Sequence, residues 1–191
     1  MSEKSRVRVY IACSIDGFIA GVDGDLSWLE GSDPPEEGQD PPPPPTPESG
    51  AMTYAEFTEN VGAMLMGRAT YDAVIGFDVG WPYEIPVLVA TTRPIDNPPS
   101  AGITAVSGSI DKLITKAIDA AAGKDVYLDG GNLIRQGLDA GLVDELVVTM
   151  VPVVLGAGHA LFAGATKRHQ FEFGENGRYG TMLQYTLHPK R

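Results

Sequence analysis

Three short stretches combine glycine, hydroxyl and arginine in ways suited to holding an anion. Met66-Gly67-Arg68-Ala69-Thr70 joins an apolar run to a helix-like one. Gly67 lets a ligand approach the backbone closely. The helix start offers free N–H groups and a positive dipole end. Arg68 adds a charge-assisted donor and Thr70 a hydroxyl. Leu128-Asp129-Gly130-Gly131-Asn132-Leu133 repeats the arrangement with paired glycines. Thr91-Thr92-Arg93 places two hydroxyls and a guanidinium just past a third apolar run, where open α/β sheets bind ligands. Each stretch alone also reads as a plain turn, and Arg93 as a solvated surface arginine. The three together fit a dinucleotide with several phosphates.

Fewer residues suit proton or nucleophile chemistry. Asp16, in Ser14-Ile15-Asp16-Gly17, follows an apolar run. It is either a proton carrier or a turn residue that bonds its own backbone, and the turn is needed in both cases. Asp129 has the same ambiguity. Its charge would oppose a pyrophosphate, so it reads as a turn or sheet-end residue. Cys13 ends an apolar strand with no histidine near it in sequence, which suits a small buried hydrophobe better than a nucleophile. One cysteine excludes a disulfide framework and a Cys-rich zinc site. His159, His169 and His188 are too scattered for a His–His metal motif.

These residues must be positioned by elements that the hydrophobic pattern marks. Residues 6–13 alternate and then turn apolar, as a strand entering a core does. A Gly- and Asp-rich loop follows over 14–31. Helix 51–62, strand 63–67 and helix 68–76 come next, then strands 86–91 and 103–108. Residues 109–123 form an amphipathic helix that Ser109 can cap and Gly123 can stop. Strand 125–131, helix 132–141 and a long apolar strand over 142–156 complete the alternation. The tail, 167–189, alternates around a Gly and Asn turn signal at 174–177 and reads as a closing antiparallel hairpin. Strand–helix alternation of this kind gives an α/β fold with a mostly parallel central sheet flanked by helices.

Composition bounds the rest. A chain of 191 residues with 43% hydrophobic residues is expected to form a single domain over 1–191. Eight of its fifteen prolines fall within 34–47, so 32–50 reads as an exposed, Pro-rich insertion. Its P-x-x-P spacings could dock in an aromatic groove on a partner, but a proline homopolymer matches that pattern trivially. The net charge is −11. Between Val9 and Gly67 there are eleven acids and no lysine or arginine, while the rest of the chain balances at 14 of each sign. A nucleic-acid ligand needs a basic stripe, and none is present. No apolar run approaches membrane-spanning length. The amino terminus passes from charges straight into a strand without a secretory signal, so a cytoplasmic setting is expected.

Five ordered blocks also carry a family resemblance. They are Ile11-Ala12-Cys13-Ser14-Ile15-Asp16-Gly17-Phe18-Ile19-Ala20, Gly24-Asp25-Leu26-Ser27-Trp28-Leu29, Met66-Gly67-Arg68-Ala69-Thr70-Tyr71, Asp129-Gly130-Gly131-Asn132 and Pro152-Val153-Val154-Leu155-Gly156-Ala157-Gly158. In this order they resemble the dihydrofolate reductase-like superfamily. The nearest branch is the reductase domain of the bifunctional riboflavin-biosynthesis deaminase–reductase and its stand-alone relatives. The resemblance implies an NADPH-dependent reductase acting on a small-molecule substrate. It places Gly67, Arg68 and Thr70 at the cofactor phosphates, and Thr91, Thr92 and Arg93 around the adenosine ribose and its 2′-phosphate. Gly130, Gly131, Asn132 and Leu133 would wrap the pyrophosphate. Ala12, Ile19 and Ala20 would border the nicotinamide, and the loop through Trp28 would cover the reacting face. It also implies a homodimer, which the apolar stretch 142–156 suits unless that stretch is a central strand.

The chain departs from the family where folate would bind. The pterin-binding acid of dihydrofolate reductases falls near Thr53, and Glu56, one turn on, is its nearest substitute. There is no arginine between Arg68 and Arg93 to clamp a folate glutamate. The ribose phosphate of 5-amino-6-(5-phosphoribosylamino)uracil, the riboflavin-pathway substrate, finds candidates only in His159, Arg168 and Arg178. If the acids line the pocket, a neutral or cationic heterocycle fits better. Three readings therefore compete with a general NADPH-dependent reductase using Asp16, Trp28 and Glu56. They are the riboflavin-pathway reductase, a non-catalytic nucleotide-binding module, and an adaptor recruited through the proline run.

Overall fold

A computed structural model describes residues 4–29, 46–48, 50–77 and 80–190. In chain order the strands and helices are β1 (Val7–Ser14), β2 (Phe18–Ala20), α1 (Tyr54–Thr58), β3 (Val61–Gly67), α2 (Arg68–Ile75), β4 (Val87–Ala90) and β5 (Ile103–Val106). Then come α3 (Ile110–Ala120), β6 (Asp125–Asp129), α4 (Gly131–Asp139), β7 (Glu145–Val151), β8 (His159–Ala160), β9 (Phe171–Tyr179) and β10 (Met182–Pro189). Two single 3-10 turns, Val22–Gly24 and Ser27–Leu29, lie in the loop after β2.

Eight strands form one sheet in the order β5-β4-β3-β6-β1-β7-β10-β9. The six from β5 to β7 run parallel, and β10 and β9 close the sheet antiparallel. This is the mostly parallel sheet with a closing hairpin that the sequence predicts. Alternation along each strand sorts side chains onto two faces. Leu65, Val126 and Leu128 join Ile114, Ile134 and Leu138 of α3 and α4 in one buried layer. Met64, Met66 and Tyr127 join Phe57 of α1 and Tyr71 of α2 in the other. Both layers are dry, with Leu65, Met66, Leu128 and Ile134 fully buried. Each such side chain adds roughly 1.5–3 kcal/mol of burial.

Several predicted bounds shift. The segment expected as helix 51–62 gives only α1, and β3 begins two residues before the expected strand. A capping box explains where α1 starts: Glu56 N donates to Thr53 Oγ1 at 3.1 Å, and Thr53 N donates to Glu56 Oε2 at 2.7 Å. Ser109 does stand at the N-cap of α3, but its side chain makes no cap hydrogen bond. The closing turn lies at Gly180-Thr181, not at 174–177. Gly180 has φ 63°, which the first position of a two-residue hairpin turn requires. Asn176 and Gly177 instead pair with Tyr185 and Gln184 inside the ladder.

The long apolar stretch ends as a strand at Val151. Strand β7 is flanked by β1 and β10, so its apolar character is explained by burial within one chain. The sequence also leaves β2 and β8 unmarked. They are three and two residues long and pair antiparallel with each other, Phe18 against Ala160 and Ala20 against His159. Residues 32–45 and 49 of the Pro-rich insertion lie outside the described residues. Where the chain resumes, Pro47 bridges Tyr179 and Glu48 N donates to Arg178 O at 2.9 Å, both at the β9 edge.

Candidate functional site

The carboxyl ends of β1, β3, β4 and β6 open on one cavity of about 1100 Å3. Three of its walls are strand-to-helix or strand-to-loop junctions. Gly67 is the N-cap of α2 and Gly130 the N-cap of α4, and neither start is capped by a side chain. The first-turn N–H groups of both helices are thus open to a ligand, and both dipoles favour an anion. The third junction follows β4, where Arg93 N donates to Thr91 Oγ1 at 3.0 Å and fixes the loop.

Gly67, Arg68 and Thr70 line the cavity, as do Thr91, Thr92 and Arg93. So do Gly130, Gly131, Asn132 and Leu133, together with Ala12, Ile19 and Ala20. All thirteen residues that the resemblance places at a cofactor thus face one space. Gly130 has φ 94°, and a Cβ there would stand 2.9 Å from Thr70 Oγ1. A Cβ at Gly131 would stand 2.8 Å from Ala160 O. The two glycines let α4 start close against both neighbours and bring its N–H groups to the cavity. A Cβ at Gly67 would meet no atom within 4 Å, because the space beside it belongs to the cavity. This cradle of backbone donors, hydroxyls and arginines fits the phosphates of a nicotinamide dinucleotide.

The arginines differ in freedom. Arg68 Nε donates to Asp72 Oδ1 at 2.7 Å and its Nη1 to Pro94 O at 3.2 Å. Arg93 lies 3.8 Å from Asp72 Oδ2 with its side chain 70% exposed, so it can turn to an incoming anion. Arg135, which the sequence did not single out, also lines the cavity and donates from Nη1 to the carbonyls of Ala160 and Leu161. It ties α4 to β8.

One further patch of the wall is aromatic and acidic, formed by Tyr10, Tyr83, Tyr127 and Asp129, while Leu26 and Leu29 line the cavity from the loop after β2. Tyr10 donates to Met52 O at 3.0 Å, and Tyr127 donates to Tyr10 O at 2.8 Å. Asp129 was expected as a turn residue, and Gly130 N does donate to its Oδ1 at 2.7 Å. Yet Asp129 also faces the cavity, and burial pushes its carboxyl up to about 6 against that one hydrogen bond. The signal that could have found it is its sheet-end position, two residues after Tyr127 and so on the same face.

Asp16, Trp28 and Glu56 do not line the cavity. Asp16 Oδ1 accepts from Ser14 Oγ at 2.7 Å and from Leu155 N at 3.1 Å, and its Oδ2 accepts from Gly156 N at 2.7 Å. The Ser14 hydroxyl, followed by those backbone donors, holds its carboxyl below the usual range. Glu56 closes the capping box of α1, and Thr53 lowers its carboxyl too. Both are ionised and held by nearby donors, Asp16 latching its turn to Leu155 and Gly156 and Glu56 closing the first turn of α1. Trp28 sits in the 3-10 turn Ser27–Leu29, and its Nε1 is buried with no partner among the described residues. Its neighbours Leu26 and Leu29 reach the cavity instead. Cys13 is buried and its thiol is pushed up to about 11 by burial and then by Asp16, so it is inert at neutral pH. No group of three His, Cys, Asp or Glu residues among the described residues could hold a metal, and no described helix is long and apolar enough to cross a membrane.

Comparison with known proteins bears on the family and the fold. The model of the RibD C-terminal domain matches residues 81–185. The uncharacterised protein YwjB of Bacillus subtilis strain 168 is 27% identical over 92% of this chain and 93% of its own length. The crystal structure of a protein from Shewanella sp. PV-4, assigned by name to riboflavin biosynthesis, is 31% identical. It covers 97% of this chain and 99% of its own, with a TM-score of 0.79. Dihydrofolate reductase from Enterococcus faecalis, in complex with NADP(H), shares the fold at 15% identity and a TM-score of 0.58, covering 98% of both chains.

Proposed function

The chain belongs to the RibD C-terminal domain family, and on that premise we propose that it is an NADPH-dependent reductase that transfers a hydride to a small heterocyclic substrate. One observation carries the reading. The donor-rich junctions after β3, β4 and β6 converge on one cavity. The bound cofactor supplies the hydride. The chain's own residues do the rest. The N-terminal N–H groups of α2 and α4 hold the phosphates, with Arg68 and Thr70 beside them. Thr91, Thr92 and Arg93 hold the 2′-phosphate. Ala12, Ile19 and Ala20 border the nicotinamide and keep water from it.

Asp129 is the residue we assign to carry the proton. It is the carboxyl on the cavity wall, and burial keeps an appreciable protonated fraction near neutral pH. Asp16 and Glu56 are committed to backbone donors away from the cavity. The riboflavin-pathway reductase is the second reading, favoured by the Shewanella protein's likeness over nearly the whole of both chains.

The test is a fluorescence titration of the protein with NADPH and NADH. Tight NADPH binding with much weaker NADH binding supports the reductase. No binding of either overturns it. Tight NADPH binding without hydride transfer to any heterocyclic ketone or imine leaves a nucleotide-binding module.

A further inference from the structure

We propose that the substrate end of the cavity selects a planar nitrogen heterocycle that is neutral or cationic and bears no phosphate. The proposal rests on the reading of the donor-rich end as the cofactor's. We take the aromatic and acidic patch of the remaining wall, Tyr10, Tyr83, Tyr127 and Asp129, as the substrate's. The hydroxyls of Tyr10 and Tyr127 are engaged within the protein. Tyr127 is 7% exposed with its ring packed on Phe57 and Tyr54, so the half-buried Tyr10 and Tyr83 are the rings that border the open space. Aromatic faces stack on planar rings and attract cations, and a carboxylate beside them favours a ring N–H or N–H⁺ donor.

Among the described residues, no lysine or arginine lines that patch. Residues 9–67 and 69–92 contain no lysine or arginine. That span includes the end of β1, the loop after β2, α1, β3 and the whole of 30–45 and 78–79. However those segments run, they bring no positive charge. Among the described residues, the arginines on the cavity wall are Arg68, Arg93 and Arg135, and His159 lines it too. Arg68 and Arg93 both face Asp72 at the junctions after β3 and β4. Arg135 is held on two carbonyls. His159 stands on β8 opposite Ala20, at the nicotinamide side. Arg168 and Arg178 do not line the cavity. A phosphate dianion at the substrate end would meet Asp129 and ring faces with no counter-charge, and burying an unpaired charge is costly.

Calorimetry on the full chain, with and without NADPH, tests this with three probes. They are 5-amino-6-ribosylaminouracil, its 5′-phosphate and 2,4-diaminopyrimidine. The expected result is that the unphosphorylated nucleoside binds at least about tenfold more tightly than its phosphate ester. The diaminopyrimidine should bind as well, and Asp129→Asn should weaken it by a similar factor. Equal or tighter binding of the ester overturns the proposal, and loss of that binding in His159→Ala would name the residue responsible. Failure of both unphosphorylated probes to bind overturns it too. A preference for the unphosphorylated probes in a protein that binds no NADPH would remove the reductase reading and leave the charge selection standing.

Discussion

Arg93 is the residue whose role is easiest to isolate. It is exposed and loosely paired with Asp72, and it is the residue proposed to hold the 2′-phosphate that distinguishes NADPH from NADH. A charge-assisted contact of this kind contributes about 1.5–3 kcal/mol. Arg93→Ala should therefore raise the NADPH dissociation constant roughly tenfold or more, with NADH affinity little changed. Fluorescence titration reads both, and an equal loss for the two cofactors would place Arg93 away from the 2′-phosphate. Asp129 gives a second prediction. Its folded value near 6 lies above the ordinary carboxyl value, so the folded state holds the extra proton between about pH 4 and 6. Stability should fall as pH rises through that window, and Asp129→Asn should abolish the fall, stabilising the protein at pH 8 by up to about 3 kcal/mol. Urea melts across the pH range measure this, and a flat profile in the unsubstituted protein would show that the carboxyl is not held in a dry setting. If Asp129 carries the proton, turnover should also decline above about pH 6. At this scale the residues that line the cavity's donor-rich junctions were legible, because glycine, hydroxyl and arginine at strand ends have few other joint uses. The acids were not. Asp16, Glu56 and Asp129 look alike in sequence, and only the donors around each separate two ionised latches from one buried carboxyl.

The junctions between elements set the cavity's shape. At the start of α4, Gly130 occupies a positive φ and leaves no room for a Cβ against Thr70. Gly130→Ala should cost at least about 1–2 kcal/mol of stability through strain alone. It should also push α4's N–H groups off the phosphates, lowering NADPH affinity. Alanine at Gly67, where φ is ordinary and the Cβ space is open, should fold normally yet obstruct the ligand. Comparing melting and binding for the two variants separates strain from obstruction. Glu56→Gln is the corresponding test at α1. Glutamine can still close the capping box, so stability and turnover should change little; a large loss of turnover with intact stability would return Glu56 to the chemistry. Element types were readable because periodicity is strong in long segments such as α3. Positions set by tertiary partners were not. Asn176-Gly177 carries the stronger local turn signal, yet the ladder to β10 absorbs it and the chain reverses at Gly180. Strands β2 and β8 are too short for any pattern and exist only because each supplies the other's hydrogen bonds.

Across the whole molecule, the two ends of the sheet divide the work. The carboxyl ends of the parallel strands hold the cavity, and the opposite end holds a partly buried ion cluster. There Arg8, 5% exposed, donates from Nε to Glu145 Oε1 at 2.7 Å and from Nη1 to Phe57 O at 3.1 Å, and it lies 3.7 Å from Asp125. Arg6 completes the group, with Nη2 at 2.8 Å from Asp125 Oδ2. Burial works against the charge on Asp125, but the Arg6 side chain, its backbone N–H and its charge overcome that and hold the carboxyl below the usual range. The stabilisation from Asp125 is accordingly complete at neutral pH and is lost as pH falls through its lowered folded value. Removing Arg8 leaves Glu145 only the half-exposed Arg6 at 3.6 Å among the described residues, and a buried acid so weakly paired costs up to about 3–5 kcal/mol, whereas replacing the pair with apolar residues can be nearly neutral. Arg8→Met should therefore lower the urea midpoint sharply, and adding Glu145→Leu should recover much of the loss. The cluster lies across the sheet from the donor-rich junctions, so NADPH affinity in the folded variant should match that of the unsubstituted protein. The same arginine also holds the Phe57 carbonyl in α1, whose neighbour Met52 accepts from Tyr10 on the substrate wall. A rise in substrate KM with cofactor affinity unchanged would show that the ion cluster tunes the aromatic wall through α1, while equal weakening of both ligands would show that it acts only through global stability.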